Sequence, residues 1–139
     1  MAHITLRQEV GASAEAVWDL LGNPERASGW PGVERCEIEG RGAGCVRTLQ
    51  LVGDERLSER FDLHDETARR YRAEVLEIGR LPLRDFRYSM TVSETGPDRC
   101  AINWDADFEP DGIPEERARE LVTGFYTALS VSIGERLRG

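Results

Sequence analysis

Two charged residues, Arg47 and Glu59, fall where strand alternation calls for apolar side chains. In residues 45–52, Leu49 and Leu51 share a face under period-two alternation, and Arg47 lies on it with them. In residues 56–64, Leu57, Phe61 and Leu63 share a face that includes Glu59. Folding the two segments about Gly53 sets Arg47 near Glu59. Burying two such charges costs several kcal/mol each unless they pair. Three readings stay open: a buried ion pair that pins strand register, the polar end of a pocket holding a ligand carbonyl, hydroxyl or carboxylate, or plain exposure. As chemistry, an arginine beside a glutamate can polarise a carbonyl while the glutamate or a tyrosine moves protons. Tyr71 and Tyr88 supply such tyrosines, apolar bodies whose hydroxyls need water or Glu59 as partner. Arg47, Glu59, Tyr71 and Tyr88 are therefore the catalytic candidates.

Positioning these groups requires a sheet and something to cover it. Tyr71, Ala73 and Val75 form one inward row; Phe86, Tyr88, Met90 and Val92 form the next. Trp104, Ala106 and Phe108 follow on a last strand, which leaves Asp105 and Asp107 in solvent. The cover is a long helix over residues 114–137. Its apolar residues Ala118, Leu121, Val122, Phe125, Leu129 and Ile133 recur at helical spacing. Pro114 suits a first helical position, and Glu115 and Glu116 complement the positive end of the helix dipole. Tyr126 falls just off this stripe and reads as a surface aromatic or as a contact in a homodimer. Trp30, beside a Pro-Gly turn, flanks a pocket mouth or packs a helix end.

In chain order, a strand carrying Ile4, Leu6 and Val10 ends at Gly11. Ser13 caps a helix with Val17, Trp18, Leu20 and Leu21, and a short helical turn follows from Pro24. Strands are predicted over residues 33–39, 45–52, 56–64, 69–78, 83–94 and 100–108, with Thr95-Gly96-Pro97-Asp98 the clearest turn. The layout is α+β, with about seven antiparallel strands, two short helices after the first strand, and the long helix laid across one face.

At 139 residues the chain makes one domain, with 40% hydrophobic and 32% charged residues, a balance proper to a globular protein. Its net charge of −8 argues against nucleic acid and against anionic membrane surfaces. No apolar run approaches the roughly 20 residues that span a bilayer, and the start lacks the apolar stretch of a signal peptide. Cys36, Cys45 and Cys100 read as reduced thiols of a cytoplasmic protein. Cys36 and Cys45 could oppose each other on a hairpin, though two small strand residues is the favoured reading. The glycine-rich run 40–44 joins two strands, so it is a hairpin loop rather than a phosphate cradle. With only His3 and His64 available, neither a metal site nor a histidine-based nucleophile arrangement is expected, and no cofactor is called for.

Five phrases occur in family order: Ala16-Val17-Trp18-Asp19-Leu20-Leu21, Trp30-Pro31-Gly32-Val33, Ser58-Glu59-Arg60-Phe61, Pro82-Leu83-Arg84-Asp85-Phe86 and Phe108-Glu109-Pro110-Asp111-Gly112. Together they resemble the polyketide cyclase/dehydrase branch of the START-like (SRPBCC) superfamily, which also holds birch-pollen-allergen-type proteins and abscisic-acid receptors. That resemblance implies a helix-grip fold, a bent antiparallel sheet closed on a C-terminal helix around an apolar cavity. It places Glu59 where the receptors carry a pocket glutamate, and Leu121, Phe125 and Leu129 where their last helix lines the pocket. The expected ligand-binding set is Trp30, Arg47, Leu49, Leu51, Glu59, Phe61, Tyr71, Phe86, Tyr88, Met90, Trp104, Leu121, Phe125 and Leu129. An empty cavity of ~300 Å³ would cost about 7 kcal/mol, so it must be filled by ligand, by water or by collapse. Three functions follow in order. The first is carriage of a small hydrophobic molecule such as a lipid, isoprenoid or polyketide. The second is a cyclase/dehydrase enzyme. The third is a ligand sensor that regulates a partner, with the 51–57 turn as a lid.

Overall fold

The structure, a computed structural model, describes residues 1–138, the side chains of Ser28 and Arg138 excepted. Strand β1 (Ala2–Val10) leads to helix α1 (Ala14–Leu21) and a 3-10 helix (Pro24–Gly29). Strands β2 (Val33–Glu39), β3 (Val46–Leu51), β4 (Glu55–Asp65), β5 (Arg70–Glu77), β6 (Leu83–Gly96) and β7 (Arg99–Pro110) follow, and helix α2 (Glu115–Arg138) closes the chain. The strands form one seven-stranded antiparallel sheet in the order β1-β7-β6-β5-β4-β3-β2. This is the expected helix-grip layout, two short helices included.

Local chemistry explains the boundaries. The Ser13 side chain accepts a hydrogen bond from the Ala16 backbone N–H at 3.2 Å, which starts α1. Proline at the beginning of the 3-10 helix fixes φ where no backbone donor is needed. Gly53, at φ 86°, turns β3 into β4. The resulting register sets Arg47 directly opposite Glu59. Irregularities within β4–β5 and β6–β7 bend the sheet.

Helix α2 lies against β1 and β7, fastened by a buried hydrogen bond from Trp104 Nε1 to Ser130 Oγ at 2.8 Å. Its buried row is Ala118, Val122, Tyr126, Leu129, Ser130 and Ile133. Here the sequence reading needs correction. Tyr126 is 4% exposed and stacks on Trp104 with ring centroids 4.3 Å apart, so it belongs to the core and offers no dimer contact. Leu121 and Phe125 are 41% and 52% exposed. The buried face is thus rotated by roughly 45° from the expected stripe, with Ala118, Val122, Leu129 and Ile133 common to both. The hairpin does not set Cys36 against Cys45, in keeping with the favoured reading: Cys36 opposes Leu49, and Val46, next to Cys45, opposes Glu39. Cys36, Cys45 and Cys100 all carry free thiols. Among the described residues no helix is long and apolar enough to cross a membrane.

Candidate functional site

The site begins with the Arg47–Glu59 pair that the β3–β4 register creates. Arg47 is wholly buried and Glu59 nearly so. Glu59 Oε2 accepts from Arg47 Nη2 at 3.1 Å and from Nε at 3.3 Å. Arg47 Nη1 donates to the Pro24 carbonyl at 3.2 Å. The guanidinium carbon lies 4.5 Å from the centre of the Trp30 ring and 4.9 Å from that of Phe61, so two aromatic rings pack against the cation. Burial, the largest single influence, works against the charged form of Arg47, but the Glu59 charge, Tyr88, Tyr71 and the hydrogen bonding to Glu59 together outweigh it, and the pKa moves up. The other carboxylate oxygen of Glu59 accepts a hydrogen bond from the Tyr88 hydroxyl.

Tyr88 opens an aromatic cluster. It packs near Tyr71, Phe86, Trp104 and Tyr126, with ring centroids 6.0, 6.3, 6.2 and 5.7 Å away. Burial, reinforced by the Glu59 charge, raises the Tyr88 and Tyr126 hydroxyls well above the usual phenol range. Tyr71 is pushed up to about 12, by burial first, with Arg47 pulling down and Glu59 pushing up. Its hydroxyl lies near Tyr88 and Arg47 yet makes no hydrogen bond of ordinary geometry with any described residue, and the Trp30 indole N–H is likewise buried without a partner. Each such orphaned group costs about 1–3 kcal/mol if nothing else satisfies it.

These side chains wall a cavity of about 90 Å³ between the sheet and α2. Its polar end carries Arg47, Glu59, Tyr71, Tyr88 and Trp30. Leu49, Leu57, Val75, Leu83, Phe86 and Trp104 make the apolar wall on the sheet side, and Val122, Tyr126 and Leu129 do so from α2. Exposed Leu81, Leu121 and Phe125 form a greasy rim where the cavity meets solvent. The volume is well below the ~300 Å³ considered from sequence, because Tyr71, Tyr88 and Tyr126 occupy much of the space. At about 24 cal/mol per Å³ the remaining void costs only ~2 kcal/mol.

Of the residues expected to line a pocket, Trp30, Arg47, Leu49, Glu59, Tyr71, Phe86, Tyr88, Trp104, Leu121, Phe125 and Leu129 do line the cavity. Phe61 and Met90 are fully buried elsewhere in the core, and Leu51 is a partly buried neighbour of it. Phe61 touches the site indirectly, beneath the Arg47 guanidinium. Sequence reasoning missed Leu57, Val75, Leu81, Leu83, Val122 and Tyr126 as wall residues. For Tyr126 a signal was available: it continues the i, i+4 row from Ala118 and Val122.

Comparison with known proteins bears on the same fold. A family model described as "Polyketide cyclase / dehydrase and lipid transport" matches residues 1–136. The protein XoxI from Bacillus cereus is similar in structure, with TM-score 0.88 and 24% identity over 98% of this chain and 95% of that one. Norcoclaurine synthase from Thalictrum flavum, solved with dopamine and hydroxybenzaldehyde, gives TM-score 0.72 and 25% identity over 98% of this chain and 86% of that one. The ZhuI aromatase/cyclase from Streptomyces sp. R1128 gives TM-score 0.75 and 22% identity over 99% and 94%. Comparison with curated proteins yields no match.

Proposed function

The chain belongs to the polyketide cyclase/dehydrase and lipid transport family, and from that membership we propose that it binds and carries a small hydrophobic molecule in the cavity beneath α2. One observation carries this reading: an apolar chamber, rimmed by exposed Leu81, Leu121 and Phe125, has the Arg47, Glu59, Tyr71 and Tyr88 cluster in its lining. Large apolar side chains held at such a rim, rather than tucked into the core, favour entry of an apolar guest. At about 90 Å³ the chamber is smaller than the roughly 150 Å³ at which an engineered apolar cavity takes up benzene, so even a guest of ring size uses the open rim as well as the enclosed space. A longer acyl or isoprenoid chain requires the rim to part or the chain to trail out between Leu121 and Phe125.

The test pairs native mass spectrometry of freshly purified protein with Nile red binding. Retained hydrophobic mass, or a dye signal that Phe125→Glu weakens several-fold, supports carriage. A protein that neither retains a ligand nor binds the dye does not carry one.

A second reading is supported by the buried Tyr88–Glu59 hydrogen bond. A phenol donating to a carboxylate inside an apolar chamber is a proton-transfer pair, which suits cyclisation or dehydration of a polyketide carbonyl. Glu59→Gln that abolishes turnover of a poly-β-keto substrate while ligand affinity persists would favour the enzyme.

A further inference from the structure

Helix α2 covers the sheet with one face, and its outer face has an unusual composition for a surface. In a chain of which 32% is charged, residues 121–134 contain no Asp, Glu, Lys or Arg. Burial accounts for only some of them. Leu121, Gly124, Phe125, Ala128 and Val131 are exposed, Val131 by 38%, and nothing stands within 4 Å of a Cβ built at Gly124. Exposed aliphatic and aromatic side chains in a charge-free row, with charges at both ends, mark a contact surface.

The charges at the two ends say what fits. Arg117 and Glu135 are both exposed and 18 residues apart, which is about five turns, so they lie on one line of the helix about 27 Å apart. Gly124 and Ala128 fall within about 20° of that line, and Leu121 and Val131 about 40° to either side. Within its own chain Arg117 has only a loose contact, Nη1 to Glu120 Oε2 at 3.7 Å, between two exposed side chains. A second α2 laid antiparallel on this face, centred on the level of Tyr126, brings each Arg117 beside Glu135 of the partner subunit. The apolar middles then meet each other. A parallel copy would instead set like charges together. The face is complementary to itself about a two-fold axis, which is the condition for an isologous pair. A foreign partner would not require that symmetry.

We propose that this face binds a second copy of the chain, forming a two-fold dimer with antiparallel α2 helices and reciprocal Arg117–Glu135 pairs. Leu121 also belongs to the chamber rim, so pairing closes over part of that opening. A single helix face is at the small end of specific interfaces, which makes the dimer weak and concentration-dependent.

Sedimentation equilibrium from about 1 µM to about 1 mM tests this, at physiological ionic strength so that the −8 charge of each copy is screened within about 8 Å. The expected result is a monomer–dimer equilibrium. Ala128→Glu, which plants a charge beside the two-fold axis, should abolish it while leaving the thermal midpoint of dilute protein nearly unchanged. Arg117→Glu and Glu135→Arg should each weaken it about tenfold, because symmetry counts every substitution twice, and the double reversal should restore it. All three sites are exposed, so the fold does not depend on them. The proposal fails if the protein stays monomeric throughout; a monomer that sediments with phosphatidylcholine vesicles would make the face a lipid contact instead. It fails equally if a dimer forms that Ala128→Glu leaves intact, or if the two reversals have no effect or do not cancel.

Discussion

Arg47 and Glu59 stand opposite each other in the β3–β4 hairpin, equidistant in sequence from Gly53, with Nη2 and Oε2 3.1 Å apart. Because both are buried, removing one strands the other. Glu59→Gln and Arg47→Met should each destabilise the fold by about 3–5 kcal/mol in urea denaturation, whereas the double substitution Arg47→Met/Glu59→Leu should recover most of that loss. Single variants as stable as the parent would show that the pair is solvated rather than buried.

Tyr71 is the reverse case, a hydroxyl that the unliganded fold does not use. Tyr71→Phe should stabilise the unliganded protein by about 1 kcal/mol, read as a higher urea midpoint at unchanged slope. A loss of stability would mean that the hydroxyl has a partner, protein or water, after all.

The sequence has three tyrosines, Tyr71, Tyr88 and Tyr126, and all titrate late, Tyr71 at about 12 and the other two raised well above the usual value. Unfolded tyrosines ionise near 10. With folded values above the unfolded one, the stabilisation is complete below about pH 10 and is lost as pH rises through the folded values. Absorbance at about 295 nm should therefore stay flat past pH 10 and rise together with unfolding. Tyrosinate signal at pH 10 in a folded sample would contradict the burial of these hydroxyls.

His3 lies outside the site, on the exposed side of β1. Its Nδ1 is 2.6 Å from Asp107 and its Nε2 3.1 Å from Asp105. The hydrogen bond to Asp107 raises its pKa, slight burial lowers it, the Asp105 and Asp107 charges add to the rise, and Arg119 opposes it. A raised value means that the contribution of this pair is present below the unfolded pKa of about 6.5 and fades as pH climbs through the folded one. An NMR titration of the imidazole should give a midpoint above that of a free histidine, and Asp107→Asn should bring it down.

Gly22 ends α1 beneath the Trp18 indole, and a Cβ there would come within 2.2 Å of the ring. Gly22→Ala should cost about 1–3 kcal/mol through displacement of Trp18, despite an ordinary backbone conformation. A neutral effect in thermal melts would mean that Trp18 can swing aside freely.

Strand alternation made the β3–β4 pairing legible, because both Arg47 and Glu59 interrupt apolar rows whose period is fixed by the pleat. The helix face was harder to read. Leu121 and Phe125 are more hydrophobic than Tyr126, so ranking by residue type turns α2 the wrong way. What decides the face is long-range: Trp104 presents a flat surface that a stacked ring fills best, and the chamber opening keeps Leu121 and Phe125 at solvent. The Pro24 carbonyl on Arg47 was invisible for a similar reason, since it joins residues from separate elements through backbone rather than side-chain type. Cavity size depends on how three tyrosines pack against one another, which no periodicity encodes.

The grip on the 3-10 helix has a consequence for traffic through the protein. Arg47 holds the Pro24 carbonyl at the start of that helix and the Trp30 ring just beyond its end, so one cation latches the segment at both extremities. That side of the chamber is bolted shut from within. On the proposed carrier reading, the way in is then the opposite rim of Leu81, Leu121 and Phe125, with the β3–β4 hairpin as the back wall.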